Sequence, residues 1–220
     1  MITPLLALYI VQSENIVVAK IKTYPVDEFY FPELSYQYQL DSSLFHKAIN
    51  GYHELANKNL LQKTNIITII DFTKSANQKR LWTIDLCEQK VLFHELVAHG
   101  RNTGEEFAAD FSNKEGSYQS SIGFYVTGEI YDGKHEQSLK LHGVEKGFNN
   151  NAFDRGIVIH GADYVSEEFI LNNGRLGRSH GCPAVSLDIN GELIKTLAEG
   201  SCLLIYYPDK SYLKKSKFFN

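Results

Sequence analysis

From residue 65 onward the chain is a succession of short β-branched and aromatic runs separated by turn residues. NIITIIDFT, KRLWTIDLC, KVLFHELVAHG, SSIGFYVTGEIY, SLKLHGV, GIVIHGA and SCLLIYYP succeed one another with few helical stretches between them. Val, Ile, Thr, Tyr and Phe suit a pleated, half-buried surface, and Gly, Asn, Asp or Ser clusters bound such runs. The turns NQK and CEQK read as hairpin connections, and Asp132-Gly133 as a further turn signal. About seven strands joined this way exclude a doubly wound α/β fold, which needs a helical crossover after each strand. The expectation is a mainly β protein, a sandwich- or barrel-like core with a few decorating helices.

Three segments carry helical signals. Leu44, Phe45, Ala48, Ile49, Tyr52, Leu55 and Ala56 recur on one helical face after a possible cap at Ser42 or Ser43. SEEFILNNG reads as a short helix capped by Ser166 and stopped by Gly174. LDINGELIKTLAEG reads as another, ending at Gly200. Residues 1–40 give little regular signal and are expected to be a weakly structured or packed N-terminal segment. The folded domain is expected over 41–208, with a tail over 209–220.

At 220 residues the chain can bury a proper core without disulfide or metal staples. The formal charge of −4 and the absence of a basic run argue against nucleic acid as a partner. The C-terminal KSYLKKSKFF is mildly basic and reads as a solvated tail. The N-terminal PLLALYIV is too short to span a bilayer, and it lacks the basic start and the cleavage site of a signal peptide. No stable membrane insertion is expected.

The three cysteines, 87, 182 and 202, are odd in number and form no CxxC pair, so neither a disulfide framework nor a zinc site is indicated. Cys87 and Cys202 lie in apolar runs and read as buried, inert thiols. HELVAH at 94–99 is one residue longer than the HExxH zinc motif. Its histidines are i, i+5, roughly 140° apart on a helix and on opposite faces of a strand. His99 precedes the polar loop GRNTG and reads either as lining a site or as a hydrogen-bonded structural residue.

GRSHGCPAV, at 177–185, sets Cys182 apart. A thiol is a weak nucleophile until a base or a positive environment converts it to thiolate. His160, at the end of the strand GIVIHG, can supply that base; His180 is a second candidate, although it lies close along the chain. Gly181 permits a sharp turn, which would aim amides at a developing oxyanion, and Pro183 stiffens the next residues of the segment. A structural thiol remains an alternative. So does a metal site of Cys182, His160 and His180, which lacks a closed four-ligand set.

IHG at 159–161 with SHGC downstream at 179–182 resembles the active-site signature of murein L,D-transpeptidases. DFTK near 71, VAHGRNTG, FSNKEGSYQSSIGFYVTG, the Gly133-Lys134 turn, IVIHGADYVS and GRSHGCPAV together resemble one branch, the murein L,D-transpeptidase catalytic-domain proteins. The likeness runs from about residue 40 to 207. It implies that Cys182 is the nucleophile and His160 its base, oriented by a backbone carbonyl at or near Gly161. It implies an oxyanion hole of amides near Gly181 and Cys182, with Ser179 and His180 shaping the loop. It also implies a substrate groove bordered by Gly161, His99, Ser121 and Gly123. Two departures stand out: Ala184 occupies a position where many members carry Arg or Asn, and SEEFILNN lengthens the interval from His160 to Cys182. The substrates implied are peptidoglycan stem peptides, reached outside the cytoplasmic membrane, with no metal or other cofactor.

Overall fold

Ile66–Asp71 (β1) is buried at every position, so both of its faces must be covered. Leu81–Asp85 (β2) pairs with it antiparallel and Cys202–Tyr206 (β8) parallel, which places β1 in the interior of the sheet. The computed structural model describes residues 36–133 and 136–219. The PLLALYIV segment, most of the 1–40 segment and Lys134 of the Gly133-Lys134 turn lie outside them.

Lys90–Glu95 (β3), Gly123–Gly133 (β4), Glu136–Gly143 (β5), Val158–Gly161 (β6) and Ala184–Val185 (β7) complete one eight-stranded sheet of order β3-β2-β1-β8-β4-β5-β6-β7. Its two ends nearly meet. Past β3 the chain continues to Ala98, which exchanges backbone hydrogen bonds with Ala184 of β7 at 2.8 and 3.2 Å. The sheet is thus a nearly closed barrel with few helices, as the strand-rich pattern predicts. β7 is the strand the sequence does not reveal, because two residues after a proline carry no periodicity.

Helix α1 (Ser42–Asn57) buries the whole predicted stripe from Leu44 to Ala56 against the sheet. Each such aliphatic side chain contributes about 1.5–3 kcal/mol when fully buried. Asp41, not Ser42 or Ser43, caps it, accepting from Leu44 N at 2.8 Å. A carboxylate one residue earlier serves the helix N-terminus, and the serines become its first turn. Gly51 is required by close approach, since a Cβ there would overlap the Phe124 ring.

Three further expectations need correction. Asp132 and Gly133 are ladder residues, paired with Gln137 and Glu136, so β4 runs through the expected turn. Cys87 is exposed, because Asp85 Oδ1 accepts from the amides of Cys87 (2.8 Å) and Glu88 (3.0 Å) and makes this stretch the β2–β3 turn. The C-terminal segment is not a solvated tail. After α2 (Glu167–Asn173) and α3 (Leu187–Leu197) it forms helix α4 (Lys210–Lys215), and Tyr212, Phe218 and Phe219 are buried. Tyr212 donates to the buried Glu145 at 2.9 Å and Ser216 also bonds it, while Lys58 and Lys47 cover the two phenylalanine rings. Three aromatics outweigh the lysines, whose heads stay at the surface.

Helix α2 (Glu167–Asn173) has the predicted Ser166 cap and a left-handed Gly174 at its end. Helix α3 (Leu187–Leu197) stops before Gly200. It lies against β5 and β6 and so backs the strand that carries His160.

Candidate active site

His160 is the third residue of β6, held between Ser138 of β5 and Ala184 of β7. It is 3% exposed, so its ring is fixed by packing. Its Nδ1 lies 2.9 Å from the carbonyl oxygen of Gly161. A carbonyl only accepts, so Nδ1 carries the proton and Nε2 bears the lone pair. This is the backbone-carbonyl orientation anticipated at Gly161.

The register that sets His160 beside Ala184 puts Cys182 two residues before β7 on the same edge. The loop carrying it is tied down by five hydrogen bonds. Ser179 N donates to His99 O at 3.0 Å and Arg101 N to Ser179 O at 2.8 Å. Ser179 Oγ donates to Cys182 O at 2.6 Å and accepts from Gly181 N at 3.0 Å. Ser120 Oγ donates to Gly181 O at 3.1 Å. Gly181 has φ +125°, and a Cβ there would come within 2.8 Å of Gln119 O, so the turn needs glycine on both counts. Its amide, expected at an oxyanion, is instead committed to Ser179. The Cys182 amide is engaged by none of the described residues.

Cys182 and His160 share a cavity of about 300 Å³ with Tyr131, Tyr164, Arg178, Ser179 and His180. Cys182 Sγ lies 3.7 Å from Gly156 O, a length suited to a thiol donating to a carbonyl. Burial pushes this thiol up, opposed by the Val158 backbone and the Arg155 guanidinium. Tyr164 is held protonated by burial and by negative charge at Cys182 and Asp163. His180 stands exposed at the mouth with its ring 4.7 Å from that of Tyr118, over which Arg101 lies at 4.2 Å.

None of the four residues expected to border the groove lines this cavity, and Gly161 serves it only through its carbonyl on His160 Nδ1. His99 is fully buried, accepting from Arg80 Nη2 at Nδ1 (2.8 Å) with Nε2 at 3.3 Å from Gly104 O. Ser121 is buried against Tyr125 OH at 2.8 Å. Gly123 lies under Glu145 and Asn149, inside the barrel wall. The resemblance placed all three at the groove, and the GRNTG loop suggested it for His99; here their side chains and backbone pack behind the cavity wall. Conversely, Arg155, Arg178, Tyr131 and Tyr164 come to the site without having been singled out. Arg178 lies within GRSHGC and was legible there; the tyrosines carried no distinguishing signal. Among the described residues no group of three or more His, Cys, Asp or Glu could hold a metal ion.

His99 is pushed down to about 4, first by burial and then by the charge of Arg80. A histidine lowered on folding contributes stability above its unfolded value of 6.5 that is lost as pH falls through the folded value. The wild type is therefore expected to lose about 3 kcal/mol between pH 6.5 and 4 through this group. Urea unfolding across that range checks it: His99→Gln, which retains a donor and an acceptor, should lack this part of the slope.

The sequence profile of the family described as L,D-transpeptidase catalytic domain matches residues 36–206, most of the chain. No curated protein matches it in sequence. Among solved structures, an L,D-transpeptidase from Mycobacterium smegmatis is similar at 11% identity and TM-score 0.40, over 65% of this chain and 59% of that one. A point variant of the helical cell shape determining protein Pgp2 from Campylobacter jejuni is similar at 16% identity and TM-score 0.45, over 77% and 58%. The L,D-transpeptidase from Xylanimonas cellulosilytica is similar at 15% and 0.39, over 70% and 68%. The chain spans under three fifths of the first two of these relatives. With the strand order, the His160–Cys182 cavity and the extent of the profile match in hand, the chain belongs to the L,D-transpeptidase catalytic-domain family.

Proposed function

We propose that this protein is a cysteine-dependent L,D-transpeptidase acting on peptidoglycan stem peptides, with residues 41–208 as its catalytic unit. The observation that carries the reading is the fixed tautomer of His160: Nδ1–H is held by Gly161 O, so Nε2 is the basic nitrogen, in the cavity that holds Cys182.

In this reading Nε2 takes the thiol proton. The sulfur attacks the carbonyl carbon at the L-centre of diaminopimelate, where it is joined to a terminal D-alanine. The oxyanion is met by the amide of Cys182, which no described residue engages. The imidazolium returns the proton to the D-alanine nitrogen, the C–N bond breaks and a thioester remains on Sγ. An amine of a second stem peptide then attacks, Nε2 takes its proton, and the C–S bond breaks to leave a crosslink and the free cysteine. Water in place of the amine makes the same acyl-enzyme an L,D-carboxypeptidase. No step calls for a cofactor. The substrate puts the protein outside the cytoplasmic membrane, and no described helix is long and apolar enough to cross one.

Intact-protein mass spectrometry tests this directly. Incubated with a disaccharide tetrapeptide, or separately with a carbapenem, the wild type should gain a covalent adduct and release D-alanine from the peptide. Cys182→Ala should gain none. A folded wild type with a free thiol and no adduct from either compound would point instead to a non-catalytic wall-binding module.

A further inference from the structure

Arg155 has an unusual set of partners. Its Nη1 donates to Ser112 O at 2.7 Å and to Ser121 Oγ at 3.3 Å; its Nη2 donates to Gln119 O at 2.6 Å and to Ser117 Oγ at 3.3 Å. All four acceptors are neutral. No described carboxylate lies within ion-pair distance of this guanidinium. Burial of half the side chain disfavours this charge, and its neutral acceptors offset that through hydrogen bonds without neutralising it.

Two contacts locate the charge relative to the nucleophile. The residue after Arg155 is Gly156, whose carbonyl oxygen is 3.7 Å from Cys182 Sγ. The carbonyl of Gln119, gripped by Arg155, is the backbone against which Gly181 packs, one residue before Cys182. Arg155 is therefore linked to the surroundings of the thiol by two routes, one covalent through Gly156 and one hydrogen-bonded through Gln119. The other titratable groups facing the sulfur are Tyr131, His160, Tyr164, Arg178 and His180. Of these the only permanent cation is Arg178, which is paired to Glu105 at 2.7 Å.

We propose that Arg155 is a positioning residue for the thiolate of Cys182. Its charge is left without a carboxylate so that the sulfur becomes its counter-charge once the proton has moved to His160 Nε2, and its four hydrogen bonds hold the 112–121 loop in place while it does so. Burial opposes ionisation of this thiol, and Arg155 is the charge that acts against burial. The inference rests on Cys182 being the reactive group, as proposed above, but not on what that group acylates.

The test needs no peptidoglycan. In a Cys87→Ser background, with Cys202 fully buried, iodoacetamide reports Cys182 alone, read as the mass of its peptide over a range of pH. Arg155→Met should raise the midpoint of the alkylation profile by about one pH unit and slow alkylation at pH 7 about tenfold. Arg155→Gln, also neutral but still able to donate to Gln119 O, should do the same with less effect on melting. Arg155→Lys keeps the charge but cannot reproduce four directed bonds. It should melt earlier while keeping the wild-type midpoint within a few tenths of a unit, an approximate margin. A wild-type midpoint in the folded neutral variants would overturn the proposal. So would a Lys variant displaced as far as Met, which would assign Arg155 to loop support only. Normal alkylation without any acyl adduct would instead count against the substrate reading and leave this one standing.

Discussion

Replacing His160 with alanine is expected to slow acylation of Cys182 by about 10³-fold, the middle of the range for losing a positioned general base. The protein should remain folded, because β6 is held by backbone pairing on both sides and by helix α3 behind it. A single-turnover time course of adduct formation measures the rate. His180→Ala is the control, and its loss should stay under about tenfold. His180 stands exposed against Tyr118, with no described bond that would orient a ring nitrogen toward the sulfur. Equal losses in the two variants would move the base from β6 to the nucleophile loop.

The second large effect is on stability. Arg80 is fully buried, yet it pairs with no carboxylate. Nε and Nη2 donate to Val97 O at 3.1 and 2.9 Å, Nη1 to Lys74 O at 2.8 Å, and Nη2 also to His99 Nδ1. Its guanidinium lies 4.8 Å over the Phe72 ring. Burial pushes it down to about 9, with Asp71 opposing, so it stays charged at neutral pH. Arg80→Met leaves two carbonyls and an imidazole nitrogen without donors. At about 1–3 kcal/mol for each unmade bond, with partial relief from removing the buried charge, the expected loss is roughly 3–5 kcal/mol. In a chain of this length that lowers the melting temperature by about 10 °C. Differential scanning calorimetry decides it, and a variant melting within a degree or so of the wild type, an approximate limit, would mean that water replaces the guanidinium.

How far the sequence reached depended on the range of the signal. Periodicities of two and of 3.6 residues marked seven of the strands and helix α1, because each records which side chains of one segment face the core. The nucleophile loop was legible for a similar reason: Gly181, Cys182 and Pro183 constrain each other within three residues. What failed was non-local. Nothing near His99 announces that Arg80, nineteen residues away, will claim its ring. Nothing near Arg155 announces the four acceptors it gathers from 112–121. Ser121 and Gly123 were placed in the groove by the family resemblance, and only the packing shows that they face Tyr125 and Glu145 instead. The buried C-terminal aromatics escaped notice because the lysines between them dominate any average of the segment.

The bridge between Ala98 and Ala184 can be considered as a seam. The closure along that line is short, one bridge at Ala98 and Ala184 and a second at Gly100 and Ser179. Cys182 lies two residues from the seam, and Ser179 and His99 are stitched across it. The cavity that holds Cys182 is therefore built beside the line on which the two ends of the sheet meet. Cys182 and His160 stay together on the β6–β7 side of it, so what the closure adds is an outer support for the loop, where His99 and Arg101 hold Ser179.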